Sequence, residues 1–180
     1  MSLIESIPSR DEMIFDKRGC LPLVLPSFQS IKYMSPYTVD WTNFQENFVF
    51  NNHRAQIATR FQKLLNKIEA LDIEVVRIYI GGSFVTKKPS PNDIDVLVCW
   101  MPRVKLKNRQ QLNAFISERG AVFDRGYEQG HSGLQVHFQC LLGIESRSVH
   151  MISKWILLNS YHKDSEIHKG IICIQGKTHT

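Results

Sequence analysis

The stretch that decides the fold reads Ile80-Gly81-Gly82-Ser83 and, after nine intervening residues, Asp93-Ile94-Asp95-Val96. Alternation along a strand sends Asp93 and Asp95 to one face and the apolar residues to the other. Two carboxylates this close repel each other unless a positive charge lies between them. Because Mg²⁺ is bound in proteins by one or two carboxylates together with substrate phosphates, we predict a Mg²⁺ (or Mn²⁺) site with Asp93 and Asp95 as ligands.

The glycine pair and the serine predict the other half of the site. Glycines that leave a strand let the backbone approach a ligand closely, because no Cβ is in the way. Exposed N–H groups there, together with the Ser83 hydroxyl, can hold triphosphate oxygens. Lys87 and Lys88 lie in the following loop and can neutralise phosphate charge. We therefore predict that Gly82, Ser83, Lys87 and Lys88 bind a nucleotide.

The surrounding residues predict alternating helices and strands. Apolar residues spaced three and four apart indicate an amphipathic helix over residues 54–71, with Asn51 or Asn52 as its N-cap. Further helices are predicted over residues 106–116 and 149–158, the latter with Ile152, Trp155 and Ile156 facing inward. Strands are predicted at residues 75–80, 94–100, 134–142 and 170–174. The fold class is therefore α+β, with one mixed sheet that carries helices.

The N-terminal residues follow no such periodicity. Prolines at positions 8, 22, 26 and 36 discourage helix, so residues 1–40 are expected to be irregular. Within them, residues 15–22 could form a short strand and turn that wraps the core. We predict a wrapping segment over residues 1–50 and one compact domain over residues 51–180.

Composition narrows the class of protein only a little. The chain has 180 residues, 43% of them apolar and 22% charged, and no apolar run approaches the roughly 20 residues of a transmembrane helix. The first residues lack the basic and apolar regions of a secretory signal. Four widely spaced cysteines favour free thiols over disulfides or zinc. We expect a cytoplasmic protein without membrane association.

The charge balance bears on the partner. Lysine and arginine outnumber aspartate and glutamate by 22 to 17, which gives a net charge of +5. A basic chain is compatible with RNA, DNA or nucleotide partners, because phosphate attracts lysine and arginine. Many basic proteins bind no nucleic acid, so the charge shifts the expectation only a little, toward an RNA partner.

The motif resembles that of the nucleotidyltransferase superfamily of the DNA polymerase β type. That family has an apolar residue, glycine and then glycine or serine, followed after roughly ten residues by Asp, an apolar residue, Asp or Glu, and another apolar residue. The wider chain also looks like an uncharacterised family of small bacterial and phage proteins with this fold, on three stretches: residues 15–22, the core motif and Lys169-Gly170-Ile171-Ile172.

The resemblance implies a nucleotidyltransferase fold and a Mg²⁺-dependent reaction. A nucleoside monophosphate would pass from a nucleoside triphosphate to an acceptor, and pyrophosphate would be released. Minimal members of the superfamily include toxin–antitoxin components and enzymes that modify tRNA or protein. We therefore expect RNA, tRNA or a protein as acceptor or partner, in a toxin–antitoxin or phage-defence setting.

One position departs from the superfamily pattern. A third carboxylate usually comes from a neighbouring strand, and the matching position here is Gln135. Glutamine can ligate a metal through its carbonyl oxygen, but it adds no charge and accepts no proton near pH 7. His137 lies on the same strand face and could serve as the base, with Asp124 and Glu128 as alternatives. Three readings stay open: turnover with such a stand-in, nucleotide and metal binding without turnover, or a degenerate fold that binds a protein.

Overall fold

A computed structural model describes residues 15–24, 34–123, 133–142, 145–161 and 168–175. Within them, five strands form one mixed sheet in the order β1-β5-β2-β3-β4. The strands are β1 Tyr37–Val39, β2 Ile73–Gly81, β3 Ile94–Pro102, β4 Leu134–Cys140 and β5 Ile172–Gln175. Strands β1 and β5 run parallel, as do β3 and β4, whereas β2 is antiparallel to both of its neighbours.

Helices cover both faces of this sheet. They are α1 Trp41–Phe48, α2 Asn52–Glu69, α3 Arg109–Glu118, the single turn α4 Gly120–Phe123, and α5 Glu145–Asn159. The predicted α+β class, with a mixed sheet flanked by helices, is confirmed. In the part of the chain that is described, no helix is both long and apolar enough to cross a membrane.

The larger core lies between the sheet and helices α1, α2 and α3. Asn51 caps α2 as predicted, because its side-chain oxygen accepts a hydrogen bond from the Arg54 N–H at 3.0 Å. The predicted apolar stripe of α2 is buried against strand residues that alternate toward it. The stripe and these strand residues include Ile57, Phe61, Leu64, Ile68, Ile78, Ile80, Val96 and Val98.

A smaller core lies on the opposite face, under α5. As predicted, Ile152, Trp155 and Ile156 face inward, and they pack with Leu97, Cys99 and Ile171. Since Leu97 and Cys99 alternate with Val96 and Val98 along β3, a single strand feeds both cores. The sheet is therefore buried on both faces, and its site-bearing strand ends have a helix on each side.

Strand β1 corrects the expectation of irregular structure over residues 1–40, and the helix α1 that follows it was not predicted. Strand β1 pairs with β5, near the other end of the chain, and α1 follows it directly. The side chain of Asp40 caps α1 by accepting a hydrogen bond from the Asn43 N–H at 2.7 Å. Phe44 and Phe48 are fully buried in the larger core. Helix α1 has only eight residues, which is too short for its apolar spacing to predict a helix directly after a proline-containing segment.

The turn predicted within residues 15–22 is present, but the strand is reduced to one bridge. Residues 17–19 form the turn, and Cys20 makes an isolated antiparallel bridge with Thr86. Leu21 is buried in the larger core, so this segment packs against the rest of the fold. The four cysteines are free thiols, three of them buried.

Candidate functional site

A cleft of about 1030 Å³ opens where β2 ends and where β3 and β4 begin. It is lined by seven of the eight residues that the sequence predicts for the site. These are Gly82, Ser83, Lys87, Lys88, Asp93, Asp95 and Gln135. The fold thus brings together residues from β3, β4 and the connection between β2 and β3.

Gly82 and Asp95 lie in direct contact at the floor of this cleft. Gly81 is the register partner of Asp95 in the antiparallel β2–β3 pair. Gly82 follows with φ +65°, a left-handed conformation that favours glycine. A Cβ added at Gly82 would lie 1.6 Å from Asp95 Oδ2. Glycine is therefore required at position 82 for two reasons. Its backbone conformation is left-handed, and the Asp95 carboxylate fills the space that a Cβ would occupy.

Asp93 and Gln135, the other two residues with oxygen atoms that can bind a metal, lie near Asp95. Asp93 precedes β3 by one residue and lines the cleft, while Ile94 between the two aspartates is fully buried in the larger core. Gln135 is the register partner of Asp95 on the parallel strand β4. Two carboxylates and one amide carbonyl suit a hard cation such as Mg²⁺, which takes oxygen ligands and retains water. These three residues fit the predicted metal.

Within the described ranges no third carboxylate joins them as a metal ligand, although Asp16 also lines the cleft, where it pairs with Arg18. In these ranges, no group of three or more histidine, cysteine, aspartate or glutamate side chains is placed to hold a metal ion. The residue predicted to replace the usual third carboxylate, Gln135, does stand beside Asp95. The negative charge available to a metal ion at the floor of the cleft therefore comes from Asp93 and Asp95.

One wall of the cleft is the loop that carries Lys87 and Lys88, and Arg54 binds this loop from the side of the core. Its side chain is fully buried and donates hydrogen bonds to the backbone carbonyl oxygens of Phe48, Phe84 and Lys88. The guanidinium carbon also lies 4.4 Å from the ring centroid of Phe84 and 4.5 Å from that of Phe50. Burial lowers the pKa of Arg54 to about 10, so it remains charged at neutral pH.

Two further side chains from the start of α2 hold the same loop. Asn51 Nδ2 donates to the Pro89 carbonyl oxygen at 2.8 Å, and His53 Nε2 lies 2.7 Å from that of Pro91. With Arg54, they bind four carbonyl groups between Phe84 and Pro91. The loop that carries Lys87 and Lys88 is therefore fixed by helix α2.

A second wall comes from residues 16–20, which we call the strap. The Lys87 N–H donates to the Gly19 carbonyl oxygen at 2.8 Å, so the strap is joined to the loop. Lys17 and Arg18 of the strap line the cleft, and the Arg18 guanidinium pairs with Asp16. These cations lie about 70 residues from Lys87 in the sequence, and the fold alone brings them close.

A fifth cation, Lys169, enters the cleft from the segment before β5. Its side chain lines the cleft although the residue is only 6% exposed. The segment is held in place because the Lys169 N–H donates to Ser160 O at 2.8 Å and the Gly170 N–H to Leu21 O at 2.6 Å. Lys17, Arg18 and Lys169 were missed as site residues. Their segments were noted only as part of a wider resemblance, and no spacing rule connects them to the motif.

The family of the chain follows from a comparison with family models. The model described as Family of unknown function (DUF6932) matches residues 13–175. The chain belongs to this family. The matched range includes the strap, both aspartates, Gln135 and Lys169, so the complete cleft lies within the DUF6932 region. No curated protein and no solved structure matches the chain.

The eighth predicted residue of this DUF6932 chain, His137, lies elsewhere. It is two residues beyond Gln135 on β4, opposite Leu97. It lines a separate cavity of about 280 Å³ next to Trp155, and it does not line the cleft. The alternative bases Asp124 and Glu128 lie outside the described residues. A catalytic role for His137 stays a prediction that its position in this fold does not favour.

Proposed function

We propose that this DUF6932 protein is a Mg²⁺-dependent nucleotidyltransferase with the DNA polymerase β type of fold. It would transfer a nucleoside monophosphate from a nucleoside triphosphate to an RNA acceptor. The observation that carries the proposal is the Gly82–Asp95 contact, in which a left-handed glycine makes room for a carboxylate beside a second aspartate. The cations of the loop, the strap and Lys169 support a polyanionic ligand in the same cleft.

Each group has a distinct role in this proposal. Asp93, Asp95 and Gln135 would hold Mg²⁺, which would supply positive charge to the phosphate that is attacked. The Ser83 hydroxyl and neighbouring N–H groups orient the β- and γ-phosphates, and Lys87 and the other cations offset their charge. The acceptor oxygen then bonds to the α-phosphorus and its proton passes to solvent water, while the bond to the β-phosphate breaks and pyrophosphate leaves. Because Arg54 fixes the loop beforehand, little reorganisation is needed during the reaction.

RNA is the acceptor that the chain favours. The chain carries a net charge of +5, which is compatible with a phosphate backbone as a partner. Excess positive charge attracts a phosphate backbone and releases its counterions. A protein acceptor is the outcome that would revise this part of the proposal, and a toxin–antitoxin or phage-defence role would follow from which RNA is modified.

A second candidate function is nucleotide and metal binding without turnover. It is favoured by Gln135, which stands next to Asp95 and cannot accept the proton of an acceptor hydroxyl. Restoring a carboxylate separates the candidates. If the site has lost turnover through this one position, Gln135→Asp gains Mg²⁺-dependent transfer, whereas an enzyme adapted to the amide gains little.

The test incubates the protein with α-labelled ATP, CTP, GTP or UTP, Mg²⁺ or Mn²⁺, and total RNA or lysate. We expect label in RNA, and we expect Asp93→Asn and Asp95→Asn each to lower it by about a hundredfold or more. The matched control is Asp72→Asn, the same substitution at a carboxylate whose side chain is 66% exposed and which does not line the cleft.

The possible outcomes separate the readings. Label in protein changes the acceptor but keeps the chemistry. Saturable, Mg²⁺-dependent nucleotide binding without label supports the second candidate. Labelling that survives both aspartate substitutions contradicts the proposed site, and absence of both label and nucleotide binding contradicts both candidates.

A further inference from the structure

The end of helix α5 exposes apolar side chains beside a cleft that is otherwise polar. Leu157 and Leu158 are 63% and 64% exposed, and Tyr161 is 48% exposed. Leu158 and Tyr161 line the cleft, whereas Leu157 does not. Apolar surface left in water at a binding cleft offers favourable burial to a ligand with a matching apolar part. We call Leu158 and Tyr161 the shelf.

The shelf is held in a defined position by its neighbours. Asn159 Nδ2 donates to the Trp155 carbonyl oxygen at 3.0 Å, and Trp155 is anchored in the smaller core. Tyr161 forms an isolated bridge with His168, and their rings meet edge to face with centroids 5.1 Å apart. A fixed side chain loses little further conformational entropy when a ligand covers it.

The shelf adjoins the floor of the cleft. A Cβ built on Gly81 would lie 2.7 Å from Asn159 Cβ, so the last turn of α5 touches the end of β2. The next residue, Gly82, contacts the Asp95 carboxylate. A ligand with its phosphates at Gly82 and Asp95 therefore has the shelf within reach of its non-phosphate end.

We propose that the shelf binds the nucleobase of the nucleoside triphosphate. This inference rests on the proposed function and adds the part of the substrate that the motif does not address. A nucleotide has the same division as the cleft, with charge at one end and a flat aromatic ring at the other. The face of the base covers Leu158 and Tyr161, while the loop, the strap and Lys169 hold the phosphates.

Base choice follows from the same chemistry. Stacking on an aromatic ring and contact with an aliphatic side chain tolerate any base, since each base has a π-face. The Asn159 amide beside the shelf offers a donor and an acceptor to a base edge, and one of its donors is already used by Trp155. We therefore expect the shelf to contribute similarly to the binding of all four nucleotides.

The experiment measures binding without turnover. α,β-Methylene analogues of ATP, GTP, CTP and UTP, and inorganic tripolyphosphate, are titrated with Mg²⁺ into the full chain by calorimetry. Tyr161→Ala should weaken the analogues by about fivefold or more, which is the effect of removing one aromatic partner of a stacked base. Leu158→Ser should weaken them too, and tripolyphosphate should change by less than about twofold because it has no base.

Leu157→Ser is the matched control, because it alters a side chain of equal exposure on the same helix that does not line the cleft. Tyr161→Phe keeps the ring and should bind as the unaltered protein does. If the unaltered protein binds analogues that neither Tyr161→Ala nor Leu158→Ser weakens, the shelf is wrong and the proposed function stands. If Tyr161→Ala or Leu158→Ser lowers the affinity for tripolyphosphate as much as for the analogues, the proposal that the shelf binds the base is also wrong. If the unaltered protein binds neither ligand, both proposals fail together.

Discussion

The helices on the two faces of the sheet stabilise the cleft in opposite ways. Helix α2 inserts a fully buried cation, Arg54, whose guanidinium is surrounded by carbonyl oxygens and two aromatic rings. In the described part of the chain, no carboxylate forms an ion pair with it. Helix α5 instead covers neutral groups, among them Cys99 and Tyr79, and leaves Leu158 exposed at the cleft.

The difference matches what each side must do. A buried charge is costly unless every donor is satisfied, so it is retained where a geometry has to be fixed. The segment that leads to Lys87 and Lys88 has one 3₁₀ turn, Gly82–Val85, and Arg54 adds hydrogen bonds to the carbonyl oxygens of Phe84 and Lys88. The α5 side needs only apolar contact, which neutral groups provide without a comparable penalty.

The largest effect should come from removing the charge on the α2 side. Arg54→Met keeps the volume of the stem but leaves three carbonyl oxygens without their donor. Because an unsatisfied buried acceptor costs roughly 1–3 kcal/mol, we expect the free energy of unfolding to fall by about 3–5 kcal/mol. Urea denaturation followed by circular dichroism measures this loss.

Arg60 provides the matched control, since it is exposed on the same helix. Arg60→Met should change stability by less than about 0.5 kcal/mol. Arg54→Lys should be intermediate in stability, because a single ammonium cannot reproduce the planar fork that reaches three carbonyls. An Arg54→Met protein as stable as the unaltered chain would show that the loop keeps its shape without this cation.

A smaller loss of stability, with a complete loss of function, is expected at the floor of the cleft. Gly82→Ala forces a non-glycine residue to φ +65° and places a Cβ 1.6 Å from Asp95 Oδ2. The strained backbone should cost about 2 kcal/mol in the free energy of unfolding. Displacement of the carboxylate should lower labelling as far as Asp95→Asn does.

Gly120→Ala tests whether that loss is specific to Gly82. A Cβ at Gly120 meets no atom within 4 Å, and its φ lies outside the left-handed region. Replacing glycine by alanine in a helix stabilises it by roughly 0.5–1 kcal/mol, so Gly120→Ala should be neutral or slightly more stable. If Gly82→Ala retains full labelling, the Gly82–Asp95 contact does not matter for function and the central observation of the proposed mechanism fails.

Spacing and capping patterns in the sequence predicted those features of the fold that depend on residues close together in the chain. The stripe of α2, its cap Asn51 and the inward face of α5 follow from spacing and capping, and each is confirmed. The match of Gln135 to the neighbour of Asp95 was also predictable, because strand alternation and parallel pairing restrict the register. The role of these residues in catalysis stays a prediction.

Long-range contacts explain what local patterns did not show. Arg54 sits near the start of a predicted helix, where an arginine is usually solvated, and only the return of the loop to that helix buries it. Lys169 is brought to the motif by the pairing of β5 with β2, and the strap by the hydrogen bond from the Lys87 N–H to Gly19 O. His137 is on the same strand face as Gln135, but it lies two residues further along β4 and therefore lines the separate cavity instead of the cleft.

The smallest predicted effect concerns the neutral groups on the α5 side and depends on pH. Burial raises the pKa of Cys99 from its ordinary value of 9.0 to about 12, and that of Tyr79 to about 12 as well. Between pH 9 and 12 the unfolded chain therefore binds fewer protons than the folded one, so stability falls as the pH rises. At pH 10, Cys99 alone should cost about 1 kcal/mol relative to pH 8.

Cys99→Ala isolates this contribution. The variant loses some packing at every pH, but its drop in the free energy of unfolding between pH 8 and pH 10 should be smaller by about 1 kcal/mol, because no buried thiol remains there to be kept protonated. Arg54, whose pKa burial lowers to about 10, begins to lose its proton at the upper end of this range, but it does so in both proteins and therefore cancels in the comparison. Urea midpoints at the two pH values measure the difference, and an identical drop in both proteins would mean that the ionisation of Cys99 is not what weakens the α5 side.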